Sequence, residues 1–360
     1  MDKKETVLVG ISGGVDSAVC ALKLKQAGYN VIGAMMKIYD GDIKTIANSC
    51  YGTDKKKETE DAKAICAKIG IDFHLIDCSK EFDKLVFETF KNEYKNGRTP
   101  NPCILCNPII KFGIFPKLAR EKGINFDKFA TGHYARIEYD RNLDKYLLKQ
   151  GVNLKKDQTY FLYRLTQEKL KNILFPLGSM QKENVRQLAK ENDLIVHDKS
   201  DSQDFYKGNY TEIINAKKNP GDIVHIDGKI LGRHEGIFNY TVGQRKGLKI
   251  AYPKPLYVVK LNPENNEVIV GEKECTFSKK LFAKDLVWTY FTDKDNMEQQ
   301  IPASAKIRSA GIKSECTIYP QGNNVIVEFS EPQSAITPGQ AIVFYKDDIV
   351  LGGATIETGF

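Results

Sequence analysis

The sequence contains no run of about eighteen apolar residues, so no membrane-spanning helix is expected. The opening Met1-Asp2-Lys3-Lys4-Glu5 is charged and has no apolar signal-peptide core. No repeat or low-complexity tract stands out. The Lys-Ser/Thr of a Walker A loop is missing, and so is the Gly-x-Gly-x-x-Gly pattern of dinucleotide-binding folds. The eight cysteines, at 20, 50, 66, 78, 103, 106, 275 and 316, are scattered, and only one Cys-x-x-Cys pair occurs among them. These absences argue against a membrane protein, a secreted disulfide scaffold and a four-cysteine zinc site. An intracellular, cytoplasmic protein is expected, whose cysteines pack, catalyse or bind metal. The formal net charge of +7 is compatible with a nucleic-acid partner but does not demand one. A chain of 360 residues has room for two or three domains.

The densest feature near the start is Gly10-Ile11-Ser12-Gly13-Gly14-Val15-Asp16-Ser17. It follows the apolar run Thr6-Val7-Leu8-Val9 and precedes a helical pattern with Val15, Val19 and Leu22 on one face. Strand, glycine loop and helix N-terminus together make a phosphate-binding geometry. Gly13 and Gly14 have no Cβ, so backbone N–H groups can approach an anion closely. Ser12 and Ser17 add hydroxyl donors, and Asp16 can hold Mg²⁺ on those phosphates. The plainer alternative is a βα turn that happens to be glycine-rich.

From there to about residue 138 strands and helices alternate. Strands are predicted over 29–36, 73–76 and 126–131. Helices are predicted over 55–69 and 82–94, with another stretch from the end of a Pro-rich 97–107 segment to about 123. This rhythm predicts a doubly wound parallel sheet with ligands at the carboxyl ends of its strands. A helix is expected over 180–192. Near 199–202 the pattern changes to short strands and turns, at 222–225, 229–231 and 256–261. After about 282 only β signals remain: 286–290, 304–308, 315–319, 324–329, 341–345 and 349–351. Regular short strands suggest a small barrel. The expected division is 1–202, 203–278 and 279–360: an α/β domain, a small central domain and a C-terminal β-barrel.

The second dense stretch is Gly97-Arg98-Thr99-Pro100-Asn101-Pro102-Cys103-Ile104-Leu105-Cys106-Asn107. Prolines stiffen the approach to its Cys-x-x-Cys. Such a pair can carry a redox or nucleophilic thiolate, supply two ligands to zinc or an iron–sulfur cluster, or simply pack.

The first loop resembles the PP-loop of ATP pyrophosphatases. With the second stretch, the chain resembles the tRNA-uridine 2-sulfurtransferase (2-thiouridylase) family. Further matching segments are Ile110-Lys111-Phe112-Gly113, Ala130-Thr131-Gly132-His133-Tyr134-Ala135-Arg136, Lys156-Asp157-Gln158-Thr159-Tyr160-Phe161-Leu162 and Phe175-Pro176-Leu177-Gly178. Later come Thr241-Val242-Gly243-Gln244-Arg245-Lys246-Gly247-Leu248 and Thr337-Pro338-Gly339-Gln340. The resemblance implies that ATP adenylates the uracil 2-oxygen of the tRNA wobble uridine, pyrophosphate leaves, sulfur attacks C2 and AMP departs. It implies a nucleotide site at Gly10, Ile11, Ser12, Gly13, Gly14, Val15, Asp16, Ser17, Met36 and Gly132, with Met36 along the adenine unless it is only a buried strand residue. It places sulfur on Cys106, supplied as persulfide or sulfide by a donor. It implies tRNA contacts, on the anticodon stem-loop, at Asn101, Pro102, His133, Lys156, Asp157, Gln158, Arg308 and Gln340. The basic loop 243–247 is also expected to touch tRNA backbone.

Two positions depart from the family pattern. Its best-known form has Asp where this chain has Cys103, so a carboxylate role is not carried over. Its second cysteine, which releases sulfur by forming a disulfide with the first, is expected at Tyr206, in Ser202-Gln203-Asp204-Phe205-Tyr206. Two repairs remain open. Cys103 can act as the resolving thiol. Alternatively Cys50, Cys103 and Cys106 can bind a [4Fe–4S] cluster whose open iron carries hydrosulfide. Rival functions are another PP-loop ATP pyrophosphatase and a non-catalytic tRNA-binding relic.

Overall fold

The computed structural model describes residues 4–39, 55–196, 214, 216–292, 295 and 299–360. The chain begins β1 (Thr6–Gly10), α1 (Val15–Gln26), β2 (Asn30–Lys37), α2 (Lys55–Ile69) and β3 (Asp72–Asp77). A broken helical stretch follows: α3 (Ser79–Phe82), a π-helical turn (Asp83–Phe87) and α4 (Glu88–Lys95). Next come α5 (Pro102–Leu105), a π-helix (Cys106–Ile114) and α6 (Phe115–Glu121). Then β4 (Lys128–Ala130), β5 (Ala135–Asp140), β6 (Lys145–Gln150), α7 (Gln167–Leu170), β7 (Ile173–Leu174) and α8 (Lys182–Glu191) complete this half.

The chain divides into two compact units. The first comprises residues 1–86, 102–208 and 348–350. Its sheet runs β3-β2-β1-β4-β7, and the paired strands are parallel. Val7, Leu8 and Val9 are all fully buried, which is why β1 reads as a continuous apolar run rather than an alternating one. Val7 and Val9 share a core with Ala18, Ala62, Cys66 and Val185, from α1, α2 and α8. Phe129 of β4 meets Phe112 and Phe115 edge-on, at 5.6 and 5.7 Å between ring centroids. Burying each such large apolar side chain contributes roughly 1.5–3 kcal/mol. In this unit Ile349 pairs with Lys149 of β6, and the Asp348 carbonyl accepts the Gln150 N–H at 2.8 Å.

The second unit comprises residues 87–101, 209–347 and 351–360. One sheet, β10-β11-β8-β9, is built from β8 (Gly221–His225), β9 (Ile230–His234), β10 (Tyr257–Asn262) and β11 (Glu267–Gly271). The remaining strands are β12 (Phe277–Trp288), β13 (Ile301–Lys306), β14 (Ser314–Gln321), β15 (Asn324–Ser334), β16 (Ala341–Lys346) and β17 (Ile349–Gly359). They run in the order β12-β15-β14-β13-β16-β17, and β17 pairs back onto β12 to close an antiparallel barrel. Its interior holds Ile318, Val325, Val327, Phe344 and Ile356, all fully buried. The fold is thus a doubly wound α/β domain, a small central β domain and a C-terminal β-barrel.

Several boundaries differ from the sequence reading. The helix expected over 82–94 is interrupted by the π turn. The helix expected to start after 107 already begins at Pro102, whose fixed φ suits a first helical position, so Cys103 and Cys106 are helical rather than in a loop. Pro108 has no N–H to donate inside the π-helix, and its carbonyl accepts from Lys169 Nζ at 2.6 Å. The sheet gains β7, whose two residues are too short to signal. The last strand runs to Gly359 instead of stopping at 351. Gly352 lies in it because a Cβ there would be 2.3 Å from the Val287 carbonyl. Among the described residues no helix is long and apolar enough to cross a membrane.

Candidate active site

In the order β3-β2-β1-β4-β7 the direction of succession reverses between β1 and β4. The carboxyl ends of those two strands therefore flank a topological switch point, where open parallel sheets bind ligands. A cleft of about 270 Å³ lies there. The end of β1, the loop after it and the first turn of α1 line it with Gly10, Ile11, Ser12, Asp16 and Ser17, and the segment after β4 with Thr131, Gly132 and His133. Met35, Met36 and Ile38 supply an apolar wall, and Glu58, Lys111, Phe115 and Gln158 complete it. The fold thus gathers nine of the predicted positions: Gly10, Ile11, Ser12, Asp16, Ser17, Met36, Gly132, His133 and Gln158. Gly13, Gly14 and Val15 do not line it. Gly13 has φ +72°, and a Cβ would come to 3.0 Å from the Glu58 carbonyl, so glycine is required there by conformation and contact. Gly14 caps α1, and Val15 is buried in the core beneath.

The phosphate-type loop is held by its own serines. Ser17 is buried and its hydroxyl donates to the Gly14 carbonyl at 3.0 Å. The Ser12 N–H donates to Ser17 Oγ at 3.1 Å, and the two hydroxyls are 3.2 Å apart. Gly132 packs directly on this loop: a Cβ there would be 2.7 Å from the Asp16 carbonyl carbon and 2.9 Å from the Ser17 nitrogen.

Asp16 is held by two side chains. Lys182 Nζ donates to both carboxylate oxygens, at 2.7 and 2.8 Å, and the Tyr134 hydroxyl donates to Oδ1 at 2.8 Å. Lys182 is buried at the start of α8, on its inward face with Val185 and Ala189. A Mg²⁺ ion fits this carboxylate only by sharing its oxygens with Lys182. Mg²⁺ ordinarily takes one or two protein carboxylates and completes its shell with phosphates and water, so Asp16 satisfies the protein's part.

His133 sits among Phe112 and Phe175, with ring centroids 5.7 Å away in each case. Its Nδ1 is 2.7 Å from the Thr131 hydroxyl. Burial, and then the positive charge of Lys111, lower its pKa well below the usual 6.5, so the imidazole is neutral at pH 7. Gln158 supports the same loop by accepting the Tyr134 N–H at 2.9 Å. Asp157 is turned to scaffolding: it accepts from Gln150 Nε2 at 2.9 Å and from the Thr159 hydroxyl at 2.8 Å. Lys156 is partly exposed beside it.

The cysteines sort by environment. Burial pushes Cys20 upward and takes Cys66, Cys78 and Cys316 to about 12, leaving inert thiols. Cys103 and Cys106 are partly exposed on the α5–π-helix segment. Asn107, next to Cys106, is buried and donates to the Phe161 carbonyl at 3.2 Å, joining the cysteine segment to the Gln158-Thr159-Tyr160-Phe161 loop. Among the described residues no group of three His, Cys, Asp or Glu side chains is arranged to hold a metal. Cys50, the third expected cluster ligand, and Tyr206 lie outside the described residues.

Pro102 opens α5. Asn101, Arg308 and Gln340 belong to the second unit. There Gln340 Nε2 donates to the Thr99 carbonyl at 2.6 Å, and Arg308 is exposed. Gly339 packs so closely that a Cβ would be 3.0 Å from the Thr99 nitrogen.

Sequence reasoning passed over Lys182, Tyr134, Thr131 and Lys111 as site residues. The signal for Lys182 was available: a lysine at an inward position of an amphipathic helix needs a partner.

Three family models match consecutive parts of the chain: a tRNA methyl transferase HUP domain over residues 5–206, a tRNA methyl transferase PRC-barrel domain over 211–272 and an aminomethyltransferase beta-barrel domain over 278–356. Over 363 residues the chain is 47% identical to the tRNA-specific 2-thiouridylase MnmA of Endomicrobium trichonymphae, covering 99% of this chain and 100% of that one. It is 46% identical to the protein of the same name from Clostridioides difficile strain 630, covering 99% of each.

Proposed function

Because the chain belongs to the tRNA-specific 2-thiouridylase family, we propose that it converts the wobble uridine of tRNA to 2-thiouridine and cleaves ATP to AMP and pyrophosphate. The observation that carries this reading is the switch-point cleft, where a glycine loop, a partly buried Asp16–Lys182 pair and an apolar methionine wall converge.

The chemistry follows from what a carbonyl lacks. The uracil 2-oxygen is a poor leaving group until it is bonded to the α-phosphorus of ATP. Loop N–H groups, the Ser12 hydroxyl and the Lys182 ammonium supply the positive field that the departing pyrophosphate needs. Asp16 holds Lys182 in place and would be the carboxylate that holds Mg²⁺, which when bound would neutralise charge on the phosphates. Met36 lies along the adenine, and Gly132 lets the chain after β4 pack directly on the loop backbone that meets the nucleotide.

Sulfur then displaces AMP from C2. Cys106 carries it as a persulfide, and Cys103, one turn earlier on the same segment, attacks Cys106 Sγ and releases the terminal sulfur as hydrosulfide. The product disulfide Cys103–Cys106 is reset by an external thiol. The relay is supported by two partly exposed thiols on one helical segment. The alternative, a [4Fe–4S] cluster on Cys50, Cys103 and Cys106, predicts bound iron. Neutral His133 and Gln158 face the flipped base, while Lys156, Asp157, Asn101, Pro102, Arg308 and Gln340 serve the tRNA stem-loop. The three regions 1–202, 203–278 and 279–360 divide this work into activation, central contact and barrel contact, in the cytoplasm.

Nucleoside analysis of tRNA from a deletion strain tests the reading. Loss of 2-thiouridine, restored by this chain, is expected. Unchanged 2-thiouridine, or no rescue, points to a tRNA-binding relic or another PP-loop reaction. Iron below stoichiometry in an anaerobically prepared, active protein excludes the cluster.

A further inference from the structure

The cleft holds a second lysine that the reading above leaves without a task. Lys111 lines it from the π-helix that opens at Cys106. Lys182 is committed to Asp16. Lys111, by contrast, makes no hydrogen bond or ion pair with any described residue, although Asp16 and Glu58 line the same cleft. Its charge is felt by the His133 ring, which stays neutral and so offers it no counter-charge. A lysine on a protein surface needs no partner, because water solvates it. A partnerless ammonium in a ligand cleft beside a phosphate loop instead adds to the positive field on whatever anion binds there.

Position decides which anion. Lys182 is fixed at the loop end, where Asp16, Ser12 and Ser17 meet the phosphate chain. Lys111 stands on the segment that carries Cys106, five residues on, which is about one turn of a helix with i→i+5 bonds. Between the pyrophosphate site and the incoming sulfur lie the α-phosphoryl group and the uracil C2–O2 that it activates, and of these the phosphoryl oxygens carry the negative charge an ammonium meets. The α-phosphoryl group is bonded first to the departing pyrophosphate and then to the uracil oxygen.

We propose that Lys111 is a catalytic residue whose ammonium contacts the α-phosphoryl oxygens during both transfer steps. This rests on the 2-thiouridylase reading. In the first step the uracil O2–Pα bond forms, the bond from Pα to the bridging oxygen breaks, and pyrophosphate keeps the electron pair. In the second the C2–S bond forms, the C2–O2 bond breaks, and AMP keeps the pair. Uridine, ATP and hydrosulfide thus give 2-thiouridine, AMP and pyrophosphate. No proton passes to or from Lys111 in either step. Its ammonium compensates charge that is greatest on the phosphoryl oxygens in the transition states, so it acts on kcat more than on ATP affinity.

The test uses the full chain, unmodified tRNA transcript, ATP and sodium sulfide, and compares wild type with Lys111→Gln and Lys111→Arg. Lys111→Gln is expected to lower kcat for pyrophosphate release about 100-fold or more. KM for ATP should stay within about threefold of wild type, and Lys111→Arg should recover at least about tenfold. Three results overturn the assignment: a Lys111→Gln rate within about threefold of wild type, a raised KM at unchanged kcat, or normal pyrophosphate release with only sulfur incorporation lost. Wild-type protein that makes no 2-thiouridine rejects the function itself, and the assignment with it. If the variants do not fold, acetylation mapping on wild-type protein decides. Lys111 shielded by a non-hydrolysable ATP analogue supports the contact, and equal labelling with and without the analogue rejects it.

Discussion

Lys182 Nζ lies 2.7 and 2.8 Å from the two carboxylate oxygens of Asp16, across 166 residues of sequence. Lys182 is almost wholly buried, with a side-chain exposure of 7% against 31% for Asp16. A charge so placed is tolerated only with a partner, and the pair locks the start of α8 to the first turn of α1. The pairing holds the Lys182 ammonium beside the glycine loop without leaving a buried charge unpaired.

Lys182→Met is therefore expected to act twice. Asp16 loses its counter-charge and, among the described residues, keeps the Tyr134 hydroxyl. We expect a stability loss of about 2 kcal/mol, discounted for the partial exposure of Asp16. Pyrophosphate release should fall about 100-fold or more. Urea unfolding and a pyrophosphate assay measure the two effects separately. An active variant of unchanged stability contradicts the role given to the pair.

Gly132→Ala probes the close approach behind the loop. The added methyl would stand 2.7 to 2.9 Å from the Asp16 carbonyl group and the Ser17 nitrogen, all of it backbone that cannot rotate away. A stability loss of about 1–3 kcal/mol is expected. ATP affinity should fall at least about tenfold, since the displaced backbone carries the phosphate-binding N–H groups. Isothermal titration with ATP checks this, and wild-type affinity refutes it.

The cysteines separate by variant. Cys106→Ala should abolish 2-thiouridine while leaving pyrophosphate release on tRNA measurable. Cys103→Ala should lose turnover with a persulfide donor yet retain activity with free sulfide. Cys66→Ala and Cys316→Ala should cost stability only, because burial keeps their thiols protonated with values near 12. Equal activity of Cys103→Ala and wild type with the persulfide donor defeats the relay.

His133 sets a pH dependence of stability. Its folded pKa is depressed, first by burial and then by Lys111, while the unfolded ring titrates near 6.5. Above that value neither state carries the proton, and the group contributes no slope. As pH falls below it, the unfolded chain takes up a proton that the folded chain refuses, so stability declines until the folded value is reached. His133→Gln should remove that part of the acid slope in denaturation curves between about pH 4 and 7. An identical slope in the variant shows that the ring titrates normally.

Arg308→Ala tests the barrel's contact with nucleic acid. Arg308 is exposed in the barrel. If its guanidinium meets a phosphate, tRNA affinity should fall evenly across tRNA species. The slope of log affinity against log salt should drop by about one. A binding isotherm with unchanged slope removes Arg308 from the interface.

Local features of the fold were legible in the residues. The Thr6-Val7-Leu8-Val9 run, the glycine loop and the helix after it follow from apolar continuity and from φ +72° at Gly13, both short-range properties. The β-rich second half followed from turn residues at short intervals. Strand ends were less legible. A two-residue strand such as β7 has no period of its own, and Gly352 inside a strand reads as a turn until the Val287 carbonyl is seen against it. The π-helix was also invisible, because Pro108 looks like a helix breaker while Lys169 takes its carbonyl from 61 residues away.

The residues alone were enough to reveal the glycine loop, the Cys103–Cys106 pair and the likeness to 2-thiouridylases, since each is read from contiguous stretches. Tertiary structure decided how the site is charged. Strand order placed β4 beside β1, so Gly132 meets Asp16 and the cleft opens between them. Packing of α8 against α1 brought Lys182 to Asp16, and the turn of the π-helix left Lys111 lining the cleft with no hydrogen-bond or ion-pair partner among the described residues. Such pairings depend on which elements become neighbours across the sheet, and the energy of a buried charge is set by those neighbours rather than by its sequence context.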